Sequence, residues 1–140
     1  MLLTYPPQAA IEAEEIKTAL ATTYKITNLR TTRQFLGIDI YRLRDGTIGL
    51  GQRRFIDSVL KRFHIEKAYN ATTPLDDKFK LDLVDETDGE TDPREYQAIV
   101  GSLMYIVLAT RPDISFAVAA YTRYNSKPFT GHLTAAKRVV

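Results

Sequence analysis

The sequence predicts an α+β fold, and three observations predict it. From Phe35 to Gln52 apolar residues alternate with period two around Asp45-Gly46, the mark of a β-hairpin. The segments around Ala13, Val59 and Ile99 instead repeat their apolar residues at helical spacing. Between these blocks, residues 82–92 are acidic, contain Gly89 and have no apolar periodicity, as a mobile linker would.

Each element has its own local signal. After Pro6-Pro7, the residues Ala9, Ala13, Ile16 and Leu20 share one helical face, opposite Glu12, Glu14, Glu15 and Lys17. Tyr24-Lys25-Ile26 is a short run suited to a strand. In the hairpin, a two-residue Asp45-Gly46 loop pairs Arg44 with Thr47, Leu43 with Ile48, Tyr41 with Leu50 and Asp39 with Gln52. One face then carries Tyr41, Leu43, Ile48 and Leu50. On the other, Ile38, Ile40 and Arg42 oppose Gly49 and Gly51, whose missing side chains admit a helix or a ligand.

Phe55, Ile56, Val59, Leu60 and Phe63 form the apolar side of a helix whose outer side is basic. Asp92-Pro93-Arg94-Glu95 has the acceptor, proline and glutamate of a capping box and starts the next helix. That helix buries Tyr96, Ile99, Val100, Leu103, Met104, Val107 and Leu108, nearly all round, and Gly101 and Ser102 let a second helix come close. Another helix starts at Pro112 and runs through Ile114, Ala117, Val118 and Tyr121. A last one begins near Thr130 and reaches Val140 in mid-pattern, as expected of a truncated helix.

Composition removes several classes of function. With 140 residues, 44% apolar and 26% charged, the chain has ordinary globular composition and room for one core. It contains no cysteine, so disulfides, thiolate metal sites and cysteine nucleophiles are excluded, and an intracellular setting is the expectation. The apolar run Ala98 to Ala109 falls short of the roughly 20 residues that span a bilayer, and no signal peptide is expected at the N-terminus. Asn70-Ala71-Thr72 matches a glycosylation sequon by spelling alone.

Net charge is +2, but it is unevenly spread. Residues 25–67 hold ten Lys/Arg against four Asp/Glu, residues 82–95 one against seven, and residues 111–140 five against one. Two basic regions therefore flank an acidic one.

No catalytic constellation is legible. Asp76-Asp77 follows Thr73-Pro74-Leu75 in a proline-bent loop, a poor place for a metal pair. His64 and His132 lack ligand spacing, and His132 is placed to pack or cap near a helix start. Ser58, Ser102, Ser115 and Ser126 have no nucleophile-elbow context, and Gly49-Leu50-Gly51 lacks phosphate-loop spacing. Tyr41, Tyr105 and Tyr121 read as core residues. The best candidate surface is Gln52, Arg53, Arg54, Lys61 and Arg62. Long cations on one surface can neutralise phosphates and release counterions; the same residues also suit a solvated helix face partly paired by Asp57 and Glu66.

Taken together, Phe35-Leu36-Gly37-Ile38, Thr73-Pro74-Leu75, Val100-Gly101-Ser102-Leu103-Met104-Tyr105, Thr110-Arg111-Pro112-Asp113-Ile114 and Ala135-Ala136-Lys137-Arg138-Val139 resemble the copia-type reverse transcriptase of LTR retrotransposons, an RNA-directed DNA polymerase. The resemblance runs from about Ile11 to Val140. It implies the palm edge, a primer-grip-like hairpin and a thumb helix at 1–67, a loop and acidic linker at 68–93, and a helical connection segment at 94–140 that stops before RNase H. In that family, aspartates of a Tyr-x-Asp-Asp turn and one earlier palm aspartate hold two metal ions about 3.5–4 Å apart. Met1-Leu2-Leu3-Thr4 resembles the strand after that turn, so the metal-binding sequence is expected upstream.

The resemblance thus implies magnesium for the intact enzyme, no cofactor and no polymerase activity for this chain, and an RNA–DNA or DNA duplex as partner. The palm, fingers and RNase H portions of the parent polyprotein are further expected partners, and a membrane is not. The alternative expectation is a non-enzymatic nucleic-acid- or protein-binding module.

Overall fold

The computed structural model describes residues 3–28, 31–68, 71–76, 80–84 and 86–140. Asp77 of the acidic pair, Asn70 of the sequon and Met1-Leu2 of the N-terminal run lie outside them. Among the described residues the chain is α+β, with five α-helices and a three-stranded antiparallel sheet. The helices are α1 (Ala10–Thr23), α2 (Arg53–Arg62), α3 (Pro93–Ala109), α4 (Ser115–Thr122) and α5 (Thr130–Lys137). The strands are β1 (Gln34–Phe35), β2 (Ile38–Arg42) and β3 (Ile48–Gly51), in that order across the sheet.

The core forms around α3, because its Tyr96, Ile99, Val100, Leu103 and Ile106 are all buried. Ala117 and Tyr121 of α4, Leu133 and Ala136 of α5, and Val59 and Phe63 of α2 join the same cluster. The basic helix that follows the hairpin therefore shares its apolar face with the C-terminal helices. Asp92 caps α3 by accepting from the Arg94 amide at 2.9 Å. Glu95 does not complete a capping box; it pairs with Lys137 Nζ of α5 at 2.8 Å.

The segment after Lys80 is not a free tether. Leu81 is buried in the core, short 3₁₀ turns form at Leu81–Leu83 and Glu86–Asp88, and the Thr130 amide donates to the Gly89 carbonyl at 3.0 Å. His132 explains the attachment. Its Nδ1 accepts from the Phe129 amide at 3.1 Å and its Nε2 lies 3.1 Å from the Leu81 carbonyl, so the ring is the Nε2–H tautomer. Tyr124 stacks on it with centroids 4.0 Å apart. The acidic residues were a sound signal for surface exposure, but Leu81 supplied an apolar anchor that average composition hides.

Three other expectations change. α1 forms, yet only Ala13 of its apolar face is buried, and Ile16 stays 48% exposed. Tyr24 to Ile26 form no strand and are exposed. On α3, Met104 and Leu108 face outward, and a Cβ built on Gly101 would meet nothing within 4 Å, so among the described residues no helix approaches there.

The hairpin register also differs, by one residue. The pairs are Asp39 with Gly51, Ile40 with Leu50, Tyr41 with Gly49 and Arg42 with Ile48. The loop holds three residues, not two: the Gly46 amide donates to the Leu43 carbonyl, the Leu43 amide to the Thr47 carbonyl, and Gly46 has φ +87°. This is a turn closed by a left-handed glycine, the next commonest hairpin connection. Asp45 accepts from the Thr47 amide at 2.9 Å, and that bond lowers its carboxyl below the usual range. Because strand side chains alternate, the slip brings Tyr41 onto the glycine face. The Tyr41 ring covers both glycines, so a Cβ on Gly51 would lie 3.0 Å from it; the space is filled from within.

α2 ends in a Schellman motif: the Ile65 amide reaches the Leu60 carbonyl, the His64 amide reaches that of Lys61, and His64 sits at φ +57°. A glycine suits that conformation better than an L residue. His64→Gly is expected to raise unfolding stability by about 1 kcal/mol, read by urea denaturation; a loss of stability would contradict the motif.

Two buried phenols set an alkaline limit. Tyr96 donates to the Tyr121 carbonyl at 2.8 Å, and Tyr121 to the Pro74 carbonyl at 3.2 Å. Burial pushes the Tyr121 phenol up to about 12 and raises Tyr96 in the same direction. Below the ordinary phenol value of 10.0 both are protonated in either state and stability is intact. As pH rises from there through about 12, the unfolded chain loses protons that the folded chain retains, so stability falls. Circular dichroism against pH is expected to show that loss, with a shallower fall in Tyr121→Phe.

Candidate nucleic-acid interface

The candidate surface is built where the sheet, α2 and α3 meet. Between β1 and β2 the loop is Leu36-Gly37, with φ +49° and +74°, the paired positive angles of a type I′ turn. That turn receives α3. Tyr105 Oη donates to the Leu36 carbonyl, and the Tyr105 ring meets Phe55 of α2 edge-on, with centroids 4.9 Å apart at 69°. Sequence reasoning missed this turn, although two positive φ angles favour glycine and Gly37 follows a strand-like Phe35.

Gln52 makes the second tie. It precedes α2, is 2% exposed, and its Oε1 accepts from Thr110 Oγ1 at 2.7 Å. Gln52 is thus an interior residue that joins the hairpin to the end of α3, and it leaves the expected duplex-contacting set. Its Nε2 is buried without a protein partner among the described residues.

Arg54 makes the third tie. Asp39 is 5% exposed on β2, and Arg54 Nε donates to its Oδ1 at 3.0 Å, with Nη2 on the same oxygen. The adjacent carboxylate raises the Arg54 guanidinium above its ordinary value. One of the expected cations is therefore committed to a buried partner.

Arg53, Lys61 and Arg62 remain on the surface. All three are exposed, and Arg62 lies over the Phe63 ring at 5.4 Å. Among the described residues none of them forms an ion pair, and neither Asp57 nor Glu66 pairs with them. Lys61 and Arg62 occupy the last turn of α2, where cations suit the helix dipole. Arg53 and Arg54 occupy its first turn, where no acidic residue stands and no side chain caps the free amides.

The other titratable candidates are dispersed. Asp39 pairs with Arg54, Asp76 with Arg138 at 3.6 Å, and Asp113 with Arg111 at 2.7 Å. Arg111 holds the Asp113 carboxyl below the usual range and is itself raised. Among the described residues no three His, Asp or Glu side chains converge in a metal-holding group. Among the described residues Asp39, Asp76 and Asp113 each face a different arginine rather than one another. His64 is exposed and far from the buried His132 in sequence. Among the described residues no helix is long and apolar enough to cross a membrane.

Comparison with known proteins gives a consistent answer. No family model matches, and no solved structure matches. The retrovirus-related Pol polyprotein from transposon RE1 of Arabidopsis thaliana is 43% identical over 106 residues, covering 76% of this chain and 7% of that protein. Its counterpart from transposon TNT 1-94 of Nicotiana tabacum is 33% identical over 132 residues, 90% of this chain and 10% of that protein. The Pol polyprotein from transposon RE2 of Arabidopsis thaliana is 37% identical over 122 residues, covering 87% and 8%. The chain thus spans a tenth or less of these relatives.

The class is that of retroelement Pol polyprotein sequences, which are enzyme-derived. Within it, the chain is retrotransposon-derived, and its homologues include copia-type Pol polyproteins at 33–43% identity over most of its length.

The junction is testable without any ligand. Gln52→Ala removes the bond to Thr110 and is expected to cost about 1–2 kcal/mol of stability. With Thr110→Val in a double-mutant cycle the two losses are expected to be less than additive. Full additivity in chemical denaturation would contradict the contact.

Proposed function

We propose that this chain is the template-primer-contacting part of a copia-type reverse transcriptase, corresponding to the palm edge, primer-grip-like hairpin, thumb helix and connection, and that it holds a duplex without elongating it. In this reading the hairpin and α2 form the part that meets nucleic acid, and α3 to α5 form the body that carries them. The polymerase aspartates belong to a preceding portion of the parent polyprotein, and magnesium to the enzyme which that portion completes.

The observation that carries the reading is the placement of Arg53. A cation in the first turn of a helix opposes the dipole, so a purely structural surface would favour an acidic residue there. Arg54, beside it, is compensated by Asp39, whereas Arg53 has no ion pair among the described residues. Uncapped helix amides together with a free guanidinium are complementary to a phosphate. Lys61 and Arg62 add charge at the far end of α2, about 12–14 Å along the axis at 1.5 Å per residue, with Lys61 a quarter turn round from Arg53 and able to meet a second phosphate. Arg54, held by Asp39, fixes the orientation of α2 against the sheet.

An RNA–DNA duplex titrated at several salt concentrations tests this. Binding is expected at low salt, weakening as salt rises with a log–log slope near −0.9 for each neutralised phosphate. The triple variant Arg53→Glu, Lys61→Glu, Arg62→Glu is expected to lose about two to three units of that slope, while Lys25→Glu leaves it unchanged. No binding at low salt, or a triple variant that binds like the parent chain, would overturn the proposal. Nucleotide incorporation by the chain alone in a primer-extension assay would overturn the assignment of catalysis to another portion.

A further inference from the structure

We infer that His132 is a pH-operated latch: the neutral ring holds the acidic segment around Leu81 and Gly89 against the helical body, and a proton on Nδ1 releases that segment while the helices stay packed. The inference is independent of nucleic-acid binding and concerns a different part of the molecule.

The contacts of the ring accept only its neutral form. His132 is 1% exposed, and both of its nitrogens are in use. Nδ1 accepts from the Phe129 amide at 3.1 Å, and Nε2–H donates to the Leu81 carbonyl at 3.1 Å. A proton on Nδ1 turns that acceptor into a donor. It then faces the Phe129 N–H donor to donor, and the contact that caps the start of α5 is lost.

No opposite charge stands ready for the protonated ring. Tyr124 stacks on it at 4.0 Å between centroids, with Phe129 at 5.9 Å and Tyr96 edge-on at 6.4 Å. The charged groups on the surrounding elements have other partners. Asp82 accepts from Tyr124 Oη and lies 3.9 Å from Arg123, and Glu95 of α3 pairs with Lys137 of α5. Asp92 caps α3, Lys127 lies over the Phe129 ring, and Glu90 meets Phe129 in a backbone bridge. Among the described residues no carboxylate forms an ion pair with His132. A buried charge with no partner is disfavoured against the same charge in water, so the proton favours an opened site.

The opening is local because the segment is tied down mainly at the latch. Its Gly89 carbonyl accepts from the Thr130 amide at 3.0 Å and from Thr130 Oγ1 at 3.2 Å, two residues before His132. Among the described residues of 80–92, Leu81 alone is buried. The helices are held separately, through Ile99, Val100, Ala117, Leu133 and Ala136. A segment with one buried side chain opens before a core of that kind. The opened form binds one proton more than the closed form, so closure is complete at neutral and higher pH and is lost as pH falls.

Amide hydrogen exchange and imidazole nitrogen chemical shifts of the full chain, followed from about pH 8 to about pH 5 where imidazole titrates, test this. The shifts are expected to show the Nε2–H tautomer of His132 at the upper end. As that ring takes up its proton, the Phe129 and Thr130 amides are expected to lose about tenfold or more in protection factor, while the Leu103 amide of α3 keeps its own. His64→Gly removes the other histidine and is expected to leave the loss in place. In His132→Gln the carboxamide can accept from Phe129 and donate to Leu81 without titrating, and the loss is expected to vanish. Thr130 protection unchanged down to the lower limit would overturn the inference. So would a loss that Leu103 shares in the same step, which is global unfolding, or a loss that persists in His132→Gln. Should that variant not fold, the parent chain decides, because Thr130 protection lost while the His132 shifts still show a neutral ring would overturn the inference as well.

Discussion

The structure depends on the docking of a two-stranded turn onto a buried helix. Leu36-Gly37 can accept Tyr105 only because the turn exposes a backbone carbonyl, and Tyr105 can reach it only because α3 is fixed by its own core. Phe55 closes the contact from α2, Gln52 joins the base of β3 to Thr110, and Arg54 joins α2 to Asp39. Each tie uses a polar group that is buried or half-buried. Losing one partner leaves the other unsatisfied, which makes the three ties mutually dependent. The outcome is that α2 cannot move relative to the sheet without giving up bonds to both strand and helix.

That rigidity gives the surface cations their meaning. A flexible basic tail binds polyanions with little geometry, whereas Arg53, Lys61 and Arg62 project from a helix held at three points. The carboxylates are distributed in the opposite sense. Asp39, Asp76 and Asp113 are each matched to a different arginine, whereas Arg53, Lys61 and Arg62 form no ion pair among the described residues.

Much of this was legible in the sequence. The helical repeat at Phe55–Phe63, the Asp92-Pro93 start of α3 and the capping role of His132 all follow from residue type and spacing, because they are governed by local physics. What was illegible depended on tertiary partners. Asp45-Gly46 fits both a two-residue loop and a three-residue loop closed by a left-handed glycine, and sequence cannot choose between them when either face of the sheet can be apolar. Gln52 looked like a surface contact because it stands among arginines, yet Thr110, far along the chain, draws it inside. Met104 and Leu108 looked buried because periodicity reports which residues are apolar, not whether a neighbour exists to cover them. The cationic stripe was visible as charge, but its division into a committed Arg54 and a free Arg53 required the position of Asp39.

Nuclear Overhauser contacts in the 140-residue chain test the interlock most directly. The account predicts contacts from the Tyr105 ring to Gly37 and Phe55, with cross-strand contacts that pair Tyr41 with Gly49 and Asp39 with Gly51. Cross-strand contacts pairing Tyr41 with Leu50, or a Tyr105 ring with no contact to the Leu36-Gly37 turn, would contradict it.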